Sequence, residues 1–417
     1  MSILTTLTRM WLTRSSRPFL FRREADESLP YADLSRLGLY IHIPFCRSIC
    51  DFCPYCKVPY DAALCDAYID ALKEEIRMVG QQHTGRTEVT SLYFGGGTPA
   101  LAAHRIGEIL DTVRQYFTIT DGIGVELHPA DVTIPTLQTL KAAGVTRISI
   151  GIQSFQAKYQ SLLGRTAVDP AALAAALAAV PFETVSMDLI FALPGQNYEE
   201  LRADIDTAFR HGANHIAIYP FIDFTFTESP LPAMPKQEKR ALLDAVTAYC
   251  QEQGYHRDSI WTFSNTPGAR YSSMTRENFL GFGCSATTLL REQFKINTFS
   301  VPDYCRLIRE GRLPTALTLR FTRRQRMIYW LFWTAYSTRV SAAEFEAFFG
   351  VPLQKMYGAE LWLAKRLGYV TERDGVYQMT PKGAFYYHYY ENFYTLAYID
   401  QMWSTLRKEA FPEEIKL

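Results

Sequence analysis

GLYIHIPFCRSICDFCPYC, residues 38–56, is the stretch around which the chain is organised. Leu39, Tyr40, Ile41, His42 and Ile43 form an apolar, alternating run that Pro44 stops, which predicts a buried strand delivering a loop. On that loop Cys46, Cys50 and Cys53 are spaced C-x3-C-x2-C, with Phe52 just before the third cysteine. Three thiolates on one short loop can hold three irons of a [4Fe–4S] cube and leave the fourth iron open. A zinc site calls for four ligands, usually as two separated pairs. Cys53 and Cys56 could supply one pair, but no second CxxC or Cys/His pair follows. Disulfides belong to oxidising compartments, and residues 1–23 lack the form of a secretory signal, being interrupted by basic residues.

The 417 residues suffice for one large domain and a smaller one. Lys+Arg and Asp+Glu both total 43, so bulk attraction to nucleic acid is excluded as a driving force. Of eight cysteines only Cys46, Cys50, Cys53 and Cys56 cluster. Cys65, Cys250, Cys284 and Cys305 read as small buried side chains, and the uneven spacing fits a reducing cytoplasm. No run approaches the roughly 20 apolar residues of a membrane span. Residues 1–23 mix Ile3, Leu4, Leu7, Met10, Trp11, Leu12, Phe19 and Leu20 with Arg9, Arg14, Arg17, Arg22 and Arg23. Such a segment reads either as an amphipathic arm at the inner membrane face or as an arm packed on the protein.

Beyond the cysteine loop, residues 91–94, 124–127, 147–151, 184–189 and 215–219 read as strands. Residues 62–79, 104–117, 135–143, 156–163, 170–179, 198–210 and 236–252 read as the helices between and after them. Strands alternating with helices at this interval predict βαβ units and a parallel sheet. Six units fit a partial (β/α)6 barrel, whose ligands sit at the C-terminal strand ends. There the sequence places Gly95-Gly96-Gly97-Thr98, Glu126, Gln153 and Ala192-Leu193-Pro194-Gly195. From about residue 317 the texture changes: helices at 322–336, 340–349 and 353–367, then short strands at 369–371 and 376–379, suggest a winged helix. Its usual role is DNA binding; the neutral charge and many aromatics favour a lid instead.

The cysteine spacing and the strand before it resemble the radical S-adenosylmethionine (SAM) superfamily, and residues 38–56 as a whole look like the branch containing oxygen-independent coproporphyrinogen III oxidase. The resemblance covers about residues 39–388 and leaves 389–417 outside. It implies an α/β fold: a partial (β/α)6 radical SAM barrel with a C-terminal helical, winged-helix-like lid. The corresponding divisions are an arm at 1–37, the barrel at 38–316 and the lid with its tail at 317–417. It implies that Cys46, Cys50 and Cys53 ligate a [4Fe–4S] cluster whose free iron is chelated by SAM, and that a 5′-deoxyadenosyl radical follows. Gly95, Gly96, Gly97 and Thr98 match the segment that binds the methionine end of SAM, through close approach and through backbone N–H and C=O groups. Glu126, Tyr40, Gln153, Arg165 and Asp188 match the remaining SAM contacts. In this branch a second SAM lies beside a glycine-rich turn, here 281–287, opposite a segment like Pro220-Phe221-Ile222; Gly283, Thr287 and Ile222 are its candidate contacts.

One departure bears on the reaction. Coproporphyrinogen oxidase carries its fourth cysteine one residue after the third position, C-x-C, whereas Cys53-Pro54-Tyr55-Cys56 is C-x2-C. The substrate side of the loop is therefore changed. The altered cysteine, the arm and the aromatic C-terminal region favour a methyltransferase of the class C type acting on an sp2 carbon of an aromatic or quinone acceptor such as menaquinone. The alternatives are tetrapyrrole chemistry, either coproporphyrinogen oxidation or anaerobic haem opening, and a non-catalytic haem carrier. All but the last imply a reducing partner such as flavodoxin or ferredoxin; none implies nucleic acid.

Overall fold

The computed structural model describes residues 3–34, 36–229, 231–266 and 277–417. Six strands run parallel in order along one sheet: β1 (Leu37–Ile43), β2 (Leu92–Gly96), β3 (Ile123–Leu127), β4 (Arg147–Gln153), β5 (Thr184–Phe191) and β6 (His215–Pro220). The register pairs Leu39 with Leu92, Ile41 with Phe94 and Ile43 with Gly96, so β1 delivers the cysteine loop beside the glycines that end β2. β1 is buried at every position but Tyr40, as a strand covered on both faces must be. The helices between strands are set by local chemistry. Asp61 caps Ala62–Gly80 by accepting from the Leu64 N–H, and Asn197 and Glu200 form a capping box on Tyr198–Arg210. Gly144 ends Ile134–Ala143 in the left-handed conformation.

The sheet does not stop at six strands. β7 (Asn278–Phe282) lies parallel to β1 on its other side. β8 (Thr287–Leu289), β9 (Gln293–Asn297) and β10 (Thr315–Arg320) then continue antiparallel. Leu20–Arg22 and Glu414–Lys416 complete that edge. Gly281 and Phe282, expected in the glycine-rich turn at 281–287, thus end a core strand that is buried at all five positions. The expected divisions are also corrected: β1 begins at Leu37, β10 runs across residue 316, and both ends of the chain return to the barrel's sheet. Edge pairing and burial, which periodicity does not report, decide this.

The C-terminal unit has the expected winged layout. Arg323–Ala335, Ala342–Phe349 and Leu353–Arg366 are helices, and Arg339–Ser341, Val376–Met379 and Val370–Arg373 form a three-stranded sheet in that spatial order. Val340 and Ser341, expected as the start of a helix, belong to the strand Arg339–Ser341. Met327, Trp330, Phe345, Leu353, Tyr357 and Tyr377 make a separate small core. After it, Pro381–Tyr394, a π-helical turn at Thr395–Ile399 and the helix Asp400–Lys408 bring the chain back over the cysteine loop.

The N-terminal helix Ile3–Thr13 packs on Arg323–Ala335, and Arg14 pairs with Glu360. Leu7 and Trp11 face outward, at 57% and 48% exposure. Met1 and Ser2 and the side chains of Ile3 and Leu4 lie outside the described residues. Among the described residues no helix is long and apolar enough to cross a membrane.

Candidate active site

Two backbone hydrogen bonds pinch the cysteine loop at its neck. The Val58 N–H donates to the Pro44 carbonyl at 2.7 Å and the Tyr60 N–H to the Cys46 carbonyl at 2.8 Å. Within the loop, the Cys53 N–H donates to the Cys50 carbonyl at 3.3 Å and Lys57 Nζ to the Cys53 carbonyl at 2.6 Å. Cys46, Cys50 and Cys53 are free, half-buried thiols in electrostatic reach of one another. Burial pushes the Cys46 thiol up to about 11 and raises that of Cys53; a bound metal reverses that preference. Three accessible soft donors on one pinned loop fit a [4Fe–4S] cube with an open iron. Cys56 is buried and its thiol donates to the Phe299 carbonyl at 3.3 Å.

The strand ends supply the other wall. Around them the strands are buried, whereas Tyr40, Gly97, Glu126, Gln153, Arg165 and Asp188 are half-buried. Glu126 on β3 accepts from the Gly96 N–H at 3.1 Å and from the Tyr93 hydroxyl at 2.9 Å. Asp188 on β5 accepts from Ser149 Oγ at 2.9 and 3.0 Å and from Ser186 Oγ at 3.4 Å. Burial, and for Glu126 also the charge of Asp188, pushes Glu126 up to about 7 and Asp188 to about 6. Gln153 ends β4 at φ 71°, beside a register shift at Asp188/Leu189 that re-aims the strand end. Arg165 donates to the Gly151 carbonyl and lies over the Phe52 ring at 5.9 Å.

The glycines provide the close approach that the resemblance implies, but no free N–H at Gly96, Gly97 or Thr98. The Gly97 and Thr98 N–H groups donate to the Ile43 and Phe45 carbonyls, both at 2.8 Å, and the Gly96 N–H is held by Glu126. These three N–H groups are engaged within the protein. A Cβ on Gly96 would meet Ile43 O at 2.8 Å and one on Gly97 would meet Phe45 O at 2.7 Å. The triplet therefore lets β2 lie tightly against the cysteine loop; close approach is what it provides.

Gly283 is corrected as well. Its N–H donates to Glu75 at 2.7 Å, and its carbonyl accepts from Asn297 at 3.0 Å. A Cβ would lie 2.5 Å from His42 O and Tyr68 Oη. It packs β7 onto helix Ala62–Gly80 and offers no free polar atom to a cofactor. Ile222, just past β6, and Thr287 on β8 are half-buried.

Residues that sequence reasoning missed hold the rest in place. Tyr93, Ser149 and Ser186 orient the two carboxylates; Tyr93 and Ser149 lie on strands flanking their acids, a relation only the sheet register reveals, and Ser186 is two residues before Asp188 on β5 itself. A roof comes from the tail. Trp403 sits 6.0 Å from the Tyr55 ring, 6.2 Å from Phe299, 6.4 Å from Phe226 and 6.5 Å from Phe224. Asp400 accepts from the Thr225 N–H at 2.8 Å and from its hydroxyl at 2.6 Å. Arg407 donates to the Pro54 carbonyl and lies 4.8 Å from the Phe226 ring.

Residues 40–208 match the family model described as the Radical SAM superfamily. The likeness to that superfamily lies over those residues. Its cofactors are accordingly a [4Fe–4S] cluster and SAM. The radical SAM fold is also that of a coproporphyrinogen III oxidase (HemN) from Escherichia coli, matched at a TM-score of 0.72 and 23% identity over 85% of this chain and 88% of that one. Among curated proteins, the chain is similar to the heme chaperone HemW of Bacillus subtilis, 27% identical over 82% of this chain and 95% of the relative. It is also similar to the oxygen-independent coproporphyrinogen III oxidase of Cereibacter sphaeroides, 28% identical over 70% of this chain and 71% of the relative. The chain thus has relatives resembling it well beyond residues 40–208.

Proposed function

We propose that the chain is a radical SAM enzyme acting on a tetrapyrrole. The observation that carries the reading is the extent of the likeness: 82% of this chain aligns with a protein named for haem and 70% with one named for coproporphyrinogen. The roof supports it. Tyr55, Phe226 and Trp403 offer π faces to a flat macrocycle, and Arg407 and Lys57 offer cations to its carboxylates.

When bound, the cluster supplies the electron that splits SAM into methionine and a 5′-deoxyadenosyl radical. The chain's own residues do the positioning. Glu126 and Asp188 accept from hydroxyl and ammonium groups of SAM, with Tyr93, Ser149 and Ser186 fixing their rotamers. Arg165 balances the carboxylate side, and Gln153 is aimed inward by its strand-end kink. The helix Asp400–Lys408, latched to Thr225, limits water access to the loop.

Methylation of a quinone ring with a second SAM is the second reading. It is favoured by the C-x2-C spacing and by the outward-facing Leu7 and Trp11. Ile222 and Thr287, without Gly283, are its remaining candidate contacts. A haem carrier is the third.

Anaerobic incubation with reductant, SAM and, separately, haem, coproporphyrinogen III or a demethylmenaquinone analogue separates them. The tetrapyrrole reading expects 5′-deoxyadenosine in step with loss of haem or coproporphyrinogen and no S-adenosylhomocysteine. S-adenosylhomocysteine in step with quinone loss would replace it with methylation. Haem binding with no nucleoside product would make the chain a carrier.

A further inference from the structure

Beside the cysteine loop, joined to the strand-end wall through Tyr40, lie three soft or borderline ligands assigned to neither cofactor. They are His42 on β1, Cys56 at the end of the loop and Cys284, two residues past β7. One ligand atom from each falls within 4.8 Å of both others. All three are buried, at 3%, 6% and 0% exposure. We propose that His42, Cys56 and Cys284 form a second metal site, separate from the cluster, for one thiophilic divalent cation of the zinc type.

The donor set is the first argument. Two thiols and an imidazole are what zinc and its chemical relatives select, and two thiolates neutralise the dication, so a buried site carries no net charge. Binding releases the two thiol protons and oxidises nothing. Zinc–ligand bonds of about 2.0–2.3 Å bring tetrahedral donors somewhat closer than the atoms now stand. Contraction is open at two of the three ligands, because Cys56 is carried on a loop and Cys284 on the turn after β7, while His42 is on the sheet.

The second argument is preorganisation. One hydroxyl ties His42 and Cys284 together: Tyr68 donates to the His42 carbonyl at 2.7 Å and accepts from the Cys284 N–H at 2.9 Å. The next residue, Ser285, holds a left-handed φ of 56°, a costly conformation for a side chain of its kind, and its Oγ lies 3.4 Å from His42 Nε2. That hydroxyl, or a water, is in position for the fourth site. Behind the imidazole, Nδ1 is 3.1 Å from the Tyr40 hydroxyl, the kind of outer partner that orients a ligating histidine. His42 Nε2 now faces the Cys56 carbonyl at 2.9 Å and the Cys56 thiol faces Phe299. Both contacts are to carbonyls and would be exchanged for the metal.

The site would clip the cluster loop to β1 and β7. Through Tyr40 it would also touch the SAM wall, giving Cys56 a role other than cluster ligation.

The test uses protein whose cluster has been reconstituted anaerobically, with cobalt(II) as the probe because its absorption reports thiolate ligands and tetrahedral geometry. One cobalt per chain should bind beyond the cluster iron, with thiolate charge-transfer bands. Cys284→Ser and Cys56→Ser should each abolish those bands with iron unchanged. Tyr40→Phe should weaken cobalt binding about 10–100-fold. The triple variant Cys46→Ala/Cys50→Ala/Cys53→Ala should still take one cobalt with the same bands, a result independent of how the serine variants fold. No cobalt in the cluster-loaded wild type, the same cobalt spectrum in Cys284→Ser, a Cys56–Cys284 disulfide in protein kept from oxygen, or loss of the bands in the triple variant would each overturn the site.

Discussion

Glu126 and Asp188 hold their protons more tightly in the fold than in the unfolded chain, where such groups ionise near 4.5 and 3.8. A carboxyl raised in this way favours the fold while protonated, and that stability is lost as pH rises from about 4.5 to about 7. Glu126→Gln removes the titration. The ligand-free variant should therefore equal or exceed wild type in stability by about 1–3 kcal/mol at pH 8, with the gap closing toward pH 5. Thermal melts across that range read it out, and a gap that widens toward low pH contradicts the assignment. SAM cleavage should fall in the same variant, as expected where a destabilising charge serves a ligand. The cysteines give a second prediction. Alanine at Cys46, Cys50 or Cys53 should each remove the cluster absorbance and SAM cleavage. Cys56→Ala should keep its iron, since that thiol is buried against Phe299. Iron lost as fully from Cys56→Ala as from the other three would put Cys56 among the ligands.

Among the elements, β7 carries more than its five residues suggest. It pairs with β1 and is followed by Gly283, where φ is 100° and the space for a Cβ is filled by His42 O and Tyr68 Oη. Gly283→Ala should cost about 3 kcal/mol or more, because it combines backbone strain with a clash against the His42 carbonyl and the buried, hydrogen-bonded Tyr68 hydroxyl. Urea unfolding measures it. A stable Gly283→Ala protein would mean that the β7–β8 connection is free to shift. A bulky residue there consequently tests folding rather than a second SAM pocket; Ile222 and Thr287 are the positions that address the pocket.

Across the whole molecule, the two chain ends meet on one sheet edge, where Phe19 and Leu417 exchange two backbone hydrogen bonds of 2.9 Å. The arm is therefore both packed and exposed: Leu20–Arg22 is a strand, while Leu7 and Trp11 face outward. An interfacial role predicts that the protein co-sediments with anionic vesicles and that deleting residues 1–16, or Trp11→Glu, releases it without loss of the cluster. Deletion must stop short of Phe19, or the sheet edge goes with it. Equal sedimentation of all three forms would leave the arm a structural element only.

The amino-acid sequence by itself determined the C-x3-C-x2-C loop, the six parallel strands and the winged unit, because thiol spacing, period-two and period-3.6 patterns are local properties. It also placed Glu126, Gln153 and the glycine triplet at strand ends, since loops and breakers are marked by composition. Only the tertiary structure decided what those residues touch. That the Gly96, Gly97 and Thr98 N–H groups are engaged, that Gly283 is walled in, and that Ser149 and Tyr93 hold the acids all follow from which strand lies beside which. The same holds for the meeting of His42, Cys56 and Cys284, and for Trp403 docking on Tyr55 from 348 residues away. Such contacts join segments remote along the chain, and no local pattern encodes their pairing; burial against a shared sheet and the loss of water from its faces bring them together.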